Sequence, residues 1–180
     1  GLLALDWNNG NRSVLTDVRL TGLLLGQTLH SEAHEIYCAY IEATAFGSLT
    51  IINRMEQYGA RIDEVVTTGG LSTKNPSLMQ IYADVLGRPI KVSQSEQTCA
   101  LGAALFGACA AGVAPLAELQ SRVVQLREKE YRPIAENQKI YARLYQLYLQ
   151  LHDAFGGLNE QASLGNVMKE LLEIRDAQLK

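Results

Sequence analysis

The segment with the clearest capacity for chemistry is residues 66–75, Val-Thr-Thr-Gly-Gly-Leu-Ser-Thr-Lys-Asn. Residues 63–68 are rich in β-branched side chains and predict a short strand, which the glycine pair ends. Because Gly69 and Gly70 carry no Cβ, they tolerate unusual backbone angles and let a ligand approach the main chain closely. The pattern therefore predicts a place where a nucleotide contacts bare backbone.

The residues after the glycine pair strengthen this prediction. Asn75 occupies a helix N-cap position and Pro76 a first helical position. The start of a helix offers free N–H groups and a partial positive charge, which suit a phosphate or an adenosine. A glycine pair after a strand is equally what a simple turn requires, so the local pattern leaves both interpretations open.

A second polar segment, residues 6–13, contains Trp7, the single tryptophan of the chain. It is dense in turn-forming residues and predicts a loop. Trp7 packs beneath a turn in one interpretation and contacts a ligand in the other.

The elements that position these segments follow from periodicity and from capping residues. Ser31 is the expected cap of a long helix that Gly59 ends, and its small residues allow a close approach to a sheet. The remaining expected elements are strands over 1–5, 63–68 and 89–92, and helices over 76–87, 97–111, 118–130, 134–154 and 165–178. This alternating order predicts parallel strands joined by crossovers.

Composition excludes several classes of function. The chain has 16 basic and 19 acidic residues, which gives a net charge of −3, and 47% of its residues are hydrophobic. The chain is long enough to bury a core, and it has no basic patch for nucleic acid or for an anionic membrane. No signal peptide or membrane span is apparent, which predicts a cytoplasmic protein.

Cysteines and histidines show no metal-site spacing. Cys38, Cys99 and Cys109 are expected to be buried thiols in a reducing compartment. The three histidines are expected to face solvent or to cap helices.

Five segments together resemble the FGGY carbohydrate kinase family. They are Leu5–Ser13 (Leu-Asp-Trp-Asn-Asn-Gly-Asn-Arg-Ser), Gly22–Gly26 (Gly-Leu-Leu-Leu-Gly), Ile41–Phe46 (Ile-Glu-Ala-Thr-Ala-Phe), Thr68–Pro76 (Thr-Gly-Gly-Leu-Ser-Thr-Lys-Asn-Pro) and Thr98–Ala104 (Thr-Cys-Ala-Leu-Gly-Ala-Ala). Their order matches the family and they span most of residues 1–112.

The resemblance implies an α/β fold: part of an actin-like ATPase domain of the ribonuclease H type, with mostly parallel strands and a C-terminal helical extension. Residues 1–114 would be the latter half of the second, ATP-binding domain, and residues 115–180 the extension packed on it. It implies ATP and Mg²⁺ as cofactors and, from the Asp-Trp-Asn-Asn-Gly-Asn-Arg segment, L-ribulose as substrate of the intact enzyme. Nucleotide contacts would come from Gly69, Gly70, Lys74 and Asn75, and Asn11 and Arg12 would face the substrate cleft.

The resemblance also implies what the chain lacks. The family's catalytic aspartate and most of its sugar pocket would belong to a segment before Gly1, so no catalytic residue and no metal ligand is expected here. Phosphoryl transfer depends on positioning, so the isolated chain is expected to be inactive. An exposed sheet edge predicts a homo-oligomer.

Two other functions compete with this interpretation. The chain could be a structural or interaction module in which the glycines serve only turn geometry. A Rossmann dehydrogenase is a poor match, because no Gly-x-Gly-x-x-Gly follows a strand.

Overall fold

A computed structural model describes residues 1–179. These residues form two compact units. Unit 1 comprises Gly1–Ile62, Asp84–Gly87 and the chain from Pro133 onwards, and unit 2 comprises Asp63–Ala83 and Arg88–Arg132.

Unit 1 is built on a short antiparallel strand pair covered by helices. Strands β1 (Leu3–Leu5) and β2 (Leu23–Leu25) pair with Ala4 opposite Leu24. The long helices α1 (Ala33–Gln57) and α6 (Ala135–Phe155) pack on β1, and α7 (Val167–Gln178) packs on α6. All three residues of β1 are buried, so this strand lies in the core of the unit.

Helix α1 begins one residue later than the sequence predicts. Its N-cap is Glu32, which forms a capping box with Glu35. The expected cap, Ser31, instead accepts a hydrogen bond from the N–H of Thr28 through its Oγ, at 2.9 Å. The predicted end of the helix at Gly59 agrees closely with the structure, in which α1 ends at Gln57 and Gly59 follows with a φ of 89°.

The core between α1 and α6 is aromatic. Phe46 is fully buried and lies with its ring centroid 5.4 Å from Tyr148 and 5.8 Å from Tyr145. The Tyr145 hydroxyl is 3.1 Å from Thr50 Oγ1 and accepts a hydrogen bond from the Asn53 amide at 3.1 Å. The small residues of α1 allow its close contact with β1, as the sequence predicts: Ala43 is fully buried.

Unit 2 is a three-stranded sheet with helices. Its strands are β3 (Val65–Thr67), β4 (Ile90–Ser93) and β5 (Leu126–Tyr131), in the order β3-β4-β5. The helices are α2 (Gly70–Lys74), α3 (Pro76–Leu86, whose last turn belongs to unit 1), α4 (Thr98–Ala110) and α5 (Leu116–Val123).

The expectation of mostly parallel strands is wrong for the described residues. Strands β3 and β4 are parallel, with Val65 opposite Ile90, as a crossover through α3 requires. The other two pairs, β1–β2 and β4–β5, are antiparallel.

The predicted charged helix over 118–130 is also wrong. Helix α5 ends at Val123, and residues 126–131 form β5, with Tyr131 opposite Ile90. Leu-Arg-Glu-Lys-Glu-Tyr has helix-favouring charges, but β4 offers an unpaired edge whose backbone hydrogen bonds override that local preference. The exposed charges of β5 suit an edge strand, because they discourage pairing with a further strand.

Several side chains differ from their expected burial. Cys38 and Cys99 are exposed and Cys109 is half-buried, so the prediction of buried thiols is wrong; α1 and α4 carry them on outward faces. His152 is buried, contrary to its expected solvent-facing or capping role, because it lies on the inner face of α6 against Trp7. None of the helices within residues 1–179 is long and apolar enough to cross a membrane.

Glu42 makes the stability of unit 1 depend on pH. Burial raises the pKa of Glu42 above its ordinary value of 4.5, and the hydrogen bond that the Tyr141 hydroxyl donates to it at 3.1 Å opposes that rise only in part. The folded state therefore holds the proton more tightly than the unfolded state, and stability falls as pH rises from about 4.5 through the raised pKa.

We expect Glu42→Gln, which keeps an acceptor for Tyr141, to raise the melting temperature at neutral pH and to flatten its decline between pH 4 and pH 8. Circular dichroism melting at several pH values measures this. Glu173→Gln, at an exposed position on α7, is the control. An equal decline in Glu42→Gln and in the unsubstituted chain would contradict the prediction.

Candidate functional site

The predicted glycine turn lies at the end of β3. Gly69 follows Thr68 and has a φ of 91° and a ψ of 175°. Residues other than glycine rarely adopt these backbone angles, so the turn itself requires glycine at position 69.

Gly70 has no such requirement. It is exposed, its φ is not positive, and a Cβ built on it would meet nothing within 4 Å. The chain's own geometry therefore explains Gly69 and leaves Gly70 as bare, accessible main chain. The two glycines are not sealed inside the protein, so a ligand can reach this backbone.

Side chains of α2 hold the turn in place. The Ser72 hydroxyl is buried and donates to the carbonyl of Gly69 at 2.7 Å, and the Thr73 hydroxyl donates to the carbonyl of Gly70 at 3.0 Å. Both glycine carbonyls are thus engaged by local hydrogen bonds.

The sequence did not predict α2. The glycine pair was expected to open directly onto the helix at Pro76, but residues 70–74 form a short helix first. The capping prediction is confirmed: Asn75 Oδ1 accepts the N–H of Leu78 at 3.0 Å, at the start of α3. Lys74 is the exposed last residue of α2. The four predicted nucleotide residues therefore lie on one continuous segment of unit 2.

Asn11 and Arg12 lie in unit 1, on the polar loop after β1. The backbone of Asn11 exchanges two hydrogen bonds of 2.8 Å with that of Asp17, and Asn11 Oδ1 accepts the N–H of Leu15 at 3.2 Å. Val14, with a φ of 86°, is held in a region unfavourable for a β-branched residue. The Arg12 side chain is exposed beside this fixed turn.

A pocket of about 310 Å³ opens next to this loop. We call it the Trp7 pocket, and its main lining side chains are Asp6, Trp7, Asn11, Arg12, Tyr148 and His152. Burial raises the pKa of Asp6, and burial followed by the nearby Asp6 carboxylate raises the pKa of Tyr148. The Asp6 carboxyl and the Tyr148 hydroxyl are therefore partly withdrawn from solvent.

Asp6, Tyr148 and His152 are among the pocket residues that the sequence analysis did not propose. Asp6 directly follows a buried strand, a position from which side chains commonly line sites, so a signal was present. His152 carried none, since only the packing of α6 on β1 brings it beside Trp7, with ring centroids 5.4 Å apart.

Comparison with known sequences identifies the family. The model for the C-terminal domain of the FGGY family of carbohydrate kinases matches residues 1–111. The ribulokinase of Geobacillus thermodenitrificans is 51% identical over 161 residues, which cover 87% of this chain and 28% of that protein. The chain thus spans less than a third of the length of this curated relative.

Solved structures share the fold. The gluconate kinase of Lactobacillus acidophilus superposes with a TM-score of 0.75 at 24% identity, covering 86% of this chain and 31% of that one. The glycerol kinase of Plasmodium falciparum, solved with ADP, gives a TM-score of 0.66 at 18% identity, covering 83% of this chain and 30% of that one.

These neighbours confirm the expected α/β class and the actin-like ATPase fold. The strand, the glycine turn and the polar loop that carry the candidate residues all fall within the matched range of 1–111. The chain therefore belongs to the FGGY family of carbohydrate kinases and corresponds to its C-terminal domain.

Proposed function

We propose that this chain is the nucleotide-binding part of an enzyme that transfers the γ-phosphoryl group of ATP to L-ribulose. Sequence identity of 51% to a ribulokinase supports the substrate, and membership of a kinase family supports ATP. Mg²⁺ would accompany the nucleotide, as it does in phosphoryl transfer generally. We propose a cytoplasmic location, where ATP and the sugar are available.

One observation carries the nucleotide assignment. Gly70 is exposed, and neither its backbone angles nor its neighbours require glycine at this position. The neighbouring Gly69, in contrast, is required by its positive φ. A residue without a side chain, on open backbone at the end of a strand, suits a ligand that lies against the main chain. We assign Gly69, Gly70, Lys74 and Asn75 to the nucleotide, and Asn11 and Arg12 to the side facing the substrate.

We also propose how domains and catalytic residues are distributed in the parent enzyme. Residues 1–114 would be the latter half of the ATP-binding domain and 115–180 its extension; the family match, which ends at residue 111, supports this boundary. We assign no catalytic base and no metal ligand to this chain, and we propose that the parts of the relatives beyond it supply both. Kinase activity is therefore not expected from the 180 residues alone.

Self-association stays a prediction. Strand β3 is an edge strand within the described sheet, and the apolar helix α4 exposes Phe106 to 65%. An open edge and exposed apolar surface both favour contact with a further chain.

The alternative is an interaction module in which the glycine turn binds nothing. Thermal unfolding of the chain with and without Mg-ADP separates the two. A ligand that binds only the folded state stabilises it by about 2.7 kcal/mol at a hundredfold excess over Kd, so we expect a concentration-dependent rise in melting temperature.

Mg²⁺ without nucleotide is the control for that experiment and should leave the melting temperature unchanged. No rise with Mg-ADP at millimolar concentration would favour the interaction module.

A further inference from the structure

We propose that the outer face of helix α1 is an interaction surface for a second copy of this chain, and that the two α1 helices pack antiparallel about a two-fold axis. The inference adds a surface to the self-association proposed above and does not depend on nucleotide or sugar binding. We call this face the α1 seam. It consists of six residues of α1 and the C-cap of the helix: Tyr37, Ile41, Thr44, Ser48, Ile51, Met55 and Tyr58.

The α1 seam has the spacing of a coiled coil. Its members are alternately four and three residues apart, which keeps them on one stripe of the helix surface. The opposite face of α1, which includes Ala43 and Phe46, is buried, and the helix packs on β1 and α6. Within residues 1–179 the seam is uncovered, since Tyr37 is 62% exposed, Met55 48% and Tyr58 79%. A stripe of this kind is typical of a helix that packs against another helix.

The two small polar members of the seam can be buried at little cost. The Thr44 hydroxyl donates to the carbonyl of Ile41 at 2.7 Å, and the Ser48 hydroxyl donates to the carbonyl of Thr44 at 2.9 Å. Because the helix itself accepts both hydroxyl protons, an apolar surface that covers them leaves no donor unsatisfied. The seam contains no charged residue. A partner helix therefore meets neither an unpaired donor nor an unpaired charge.

The sizes of the seam residues favour a second copy of α1 in the antiparallel direction. With the two-fold axis between positions 49 and 50, a small or medium side chain of one copy faces a larger one of the other, and symmetry repeats each contact. Such faces interdigitate, whereas a parallel pair would place each residue against its own copy. The contacts are Ser48 with Ile51, Thr44 with Met55, and Ile41 with Tyr58 of the second copy.

The length of the seam is sufficient for a weak dimer. From Tyr37 to Tyr58 it runs about 32 Å at a rise of about 1.5 Å per residue, and a helix with its side chains is about 10 Å wide. Two such faces bury on the order of 1,000 Å², which is the lower limit for a specific interface. We therefore expect a dimer with a dissociation constant in the micromolar range.

Cross-linking through single introduced cysteines tests the surface and the direction together. In a chain whose three cysteines are replaced with serine, the thiol of Ser48→Cys lies about 5 Å along the helix axis from its symmetry mate, and that of Tyr37→Cys about 37 Å from its mate. A short bifunctional maleimide should therefore link Ser48→Cys chains into dimers and leave Tyr37→Cys chains unlinked. Linking of both would indicate a parallel pair, and linking of neither would exclude pairing through this face. Either result would overturn the proposal.

Substitution with a charged residue shows which face carries the association, measured by sedimentation velocity over a range of concentrations. Met55→Glu should weaken the dimer about tenfold or more, because each dimer then buries two carboxylates without partners. Phe106→Glu, on exposed apolar surface of α4 outside the seam, is the matched control and should leave the dissociation constant unchanged. Circular dichroism shows whether each variant folds, and Ile51→Glu replaces Met55→Glu if the latter does not.

Three outcomes of the sedimentation experiment would overturn the proposal. The first is a chain that stays monomeric at every concentration, which would mean that another part of the parent enzyme covers the seam. The second is an unchanged dimer in the folded seam variant, and the third is loss of the dimer in Phe106→Glu. The Mg-ADP melting experiment reports on the glycine turn of unit 2, whereas α1 belongs to unit 1, so a failure there and a failure here are distinguishable.

Discussion

Replacing Gly70 with valine is expected to abolish the stabilisation of the chain by Mg-ADP. In a full-length kinase that contains this segment, it should lower kcat/KM by about 10²-fold, because a misplaced nucleotide loses the alignment that phosphoryl transfer needs. The branched side chain would project into the open space beside residue 70, where a Cβ meets nothing within 4 Å. Melting curves and steady-state kinetics measure the two effects.

Substitutions at the two adjacent glycines separate a structural role from a ligand role. Gly69→Ala forces a side chain onto a φ of 91° and should cost of order 1–3 kcal/mol of stability with or without nucleotide. Gly70→Ala should leave the stability of the free chain within about 0.5 kcal/mol, because its Cβ enters open space. If Gly70→Val destabilised the free chain as much as Gly69→Ala does, the fold itself would require glycine at position 70, and the ligand role would be contradicted.

The sequence was sufficient to predict the elements that depend on local interactions alone. Asn75 caps α3 because its side chain acts on a backbone N–H only three residues away, so no tertiary contact is needed to predict it. Helix α6 was predicted over 134–154 and observed over Ala135–Phe155, since its apolar stripe repeats along the whole helix.

Prediction failed where a distant partner decides the structure. Residues 126–131 carry helix-favouring charges, and only the free edge of β4 makes them a strand. The burial of His152 likewise depends on Trp7, 145 positions earlier in the chain, which no local pattern reports. The glycine turn was identified from composition, yet α2 was missed because five residues carry too little periodicity to indicate a helix.

Asp84 is a buried carboxylate outside the proposed sites whose loss should cost substantial stability. It is 3% exposed, and its two carboxylate oxygens accept the N–H of Ile134 and the side-chain amide of Asn137, each at 2.7 Å. Ile134 is the N-cap of α6, so Asp84 satisfies a donor at the start of the helix that covers β1. Its negative charge also lies at the positive end of that helix.

We expect Asp84→Ala to lower the free energy of unfolding by about 2–4 kcal/mol, because two donors lose a charged acceptor and the helix start loses its countercharge. Asp84→Asn, which retains one carbonyl acceptor, should cost less. Asp176→Ala, an exposed aspartate paired with its neighbour Arg175, should change stability by no more than about 0.5 kcal/mol. Urea unfolding followed by circular dichroism measures all three. A loss below about 1 kcal/mol in Asp84→Ala would mean that water replaces the carboxylate at the start of α6.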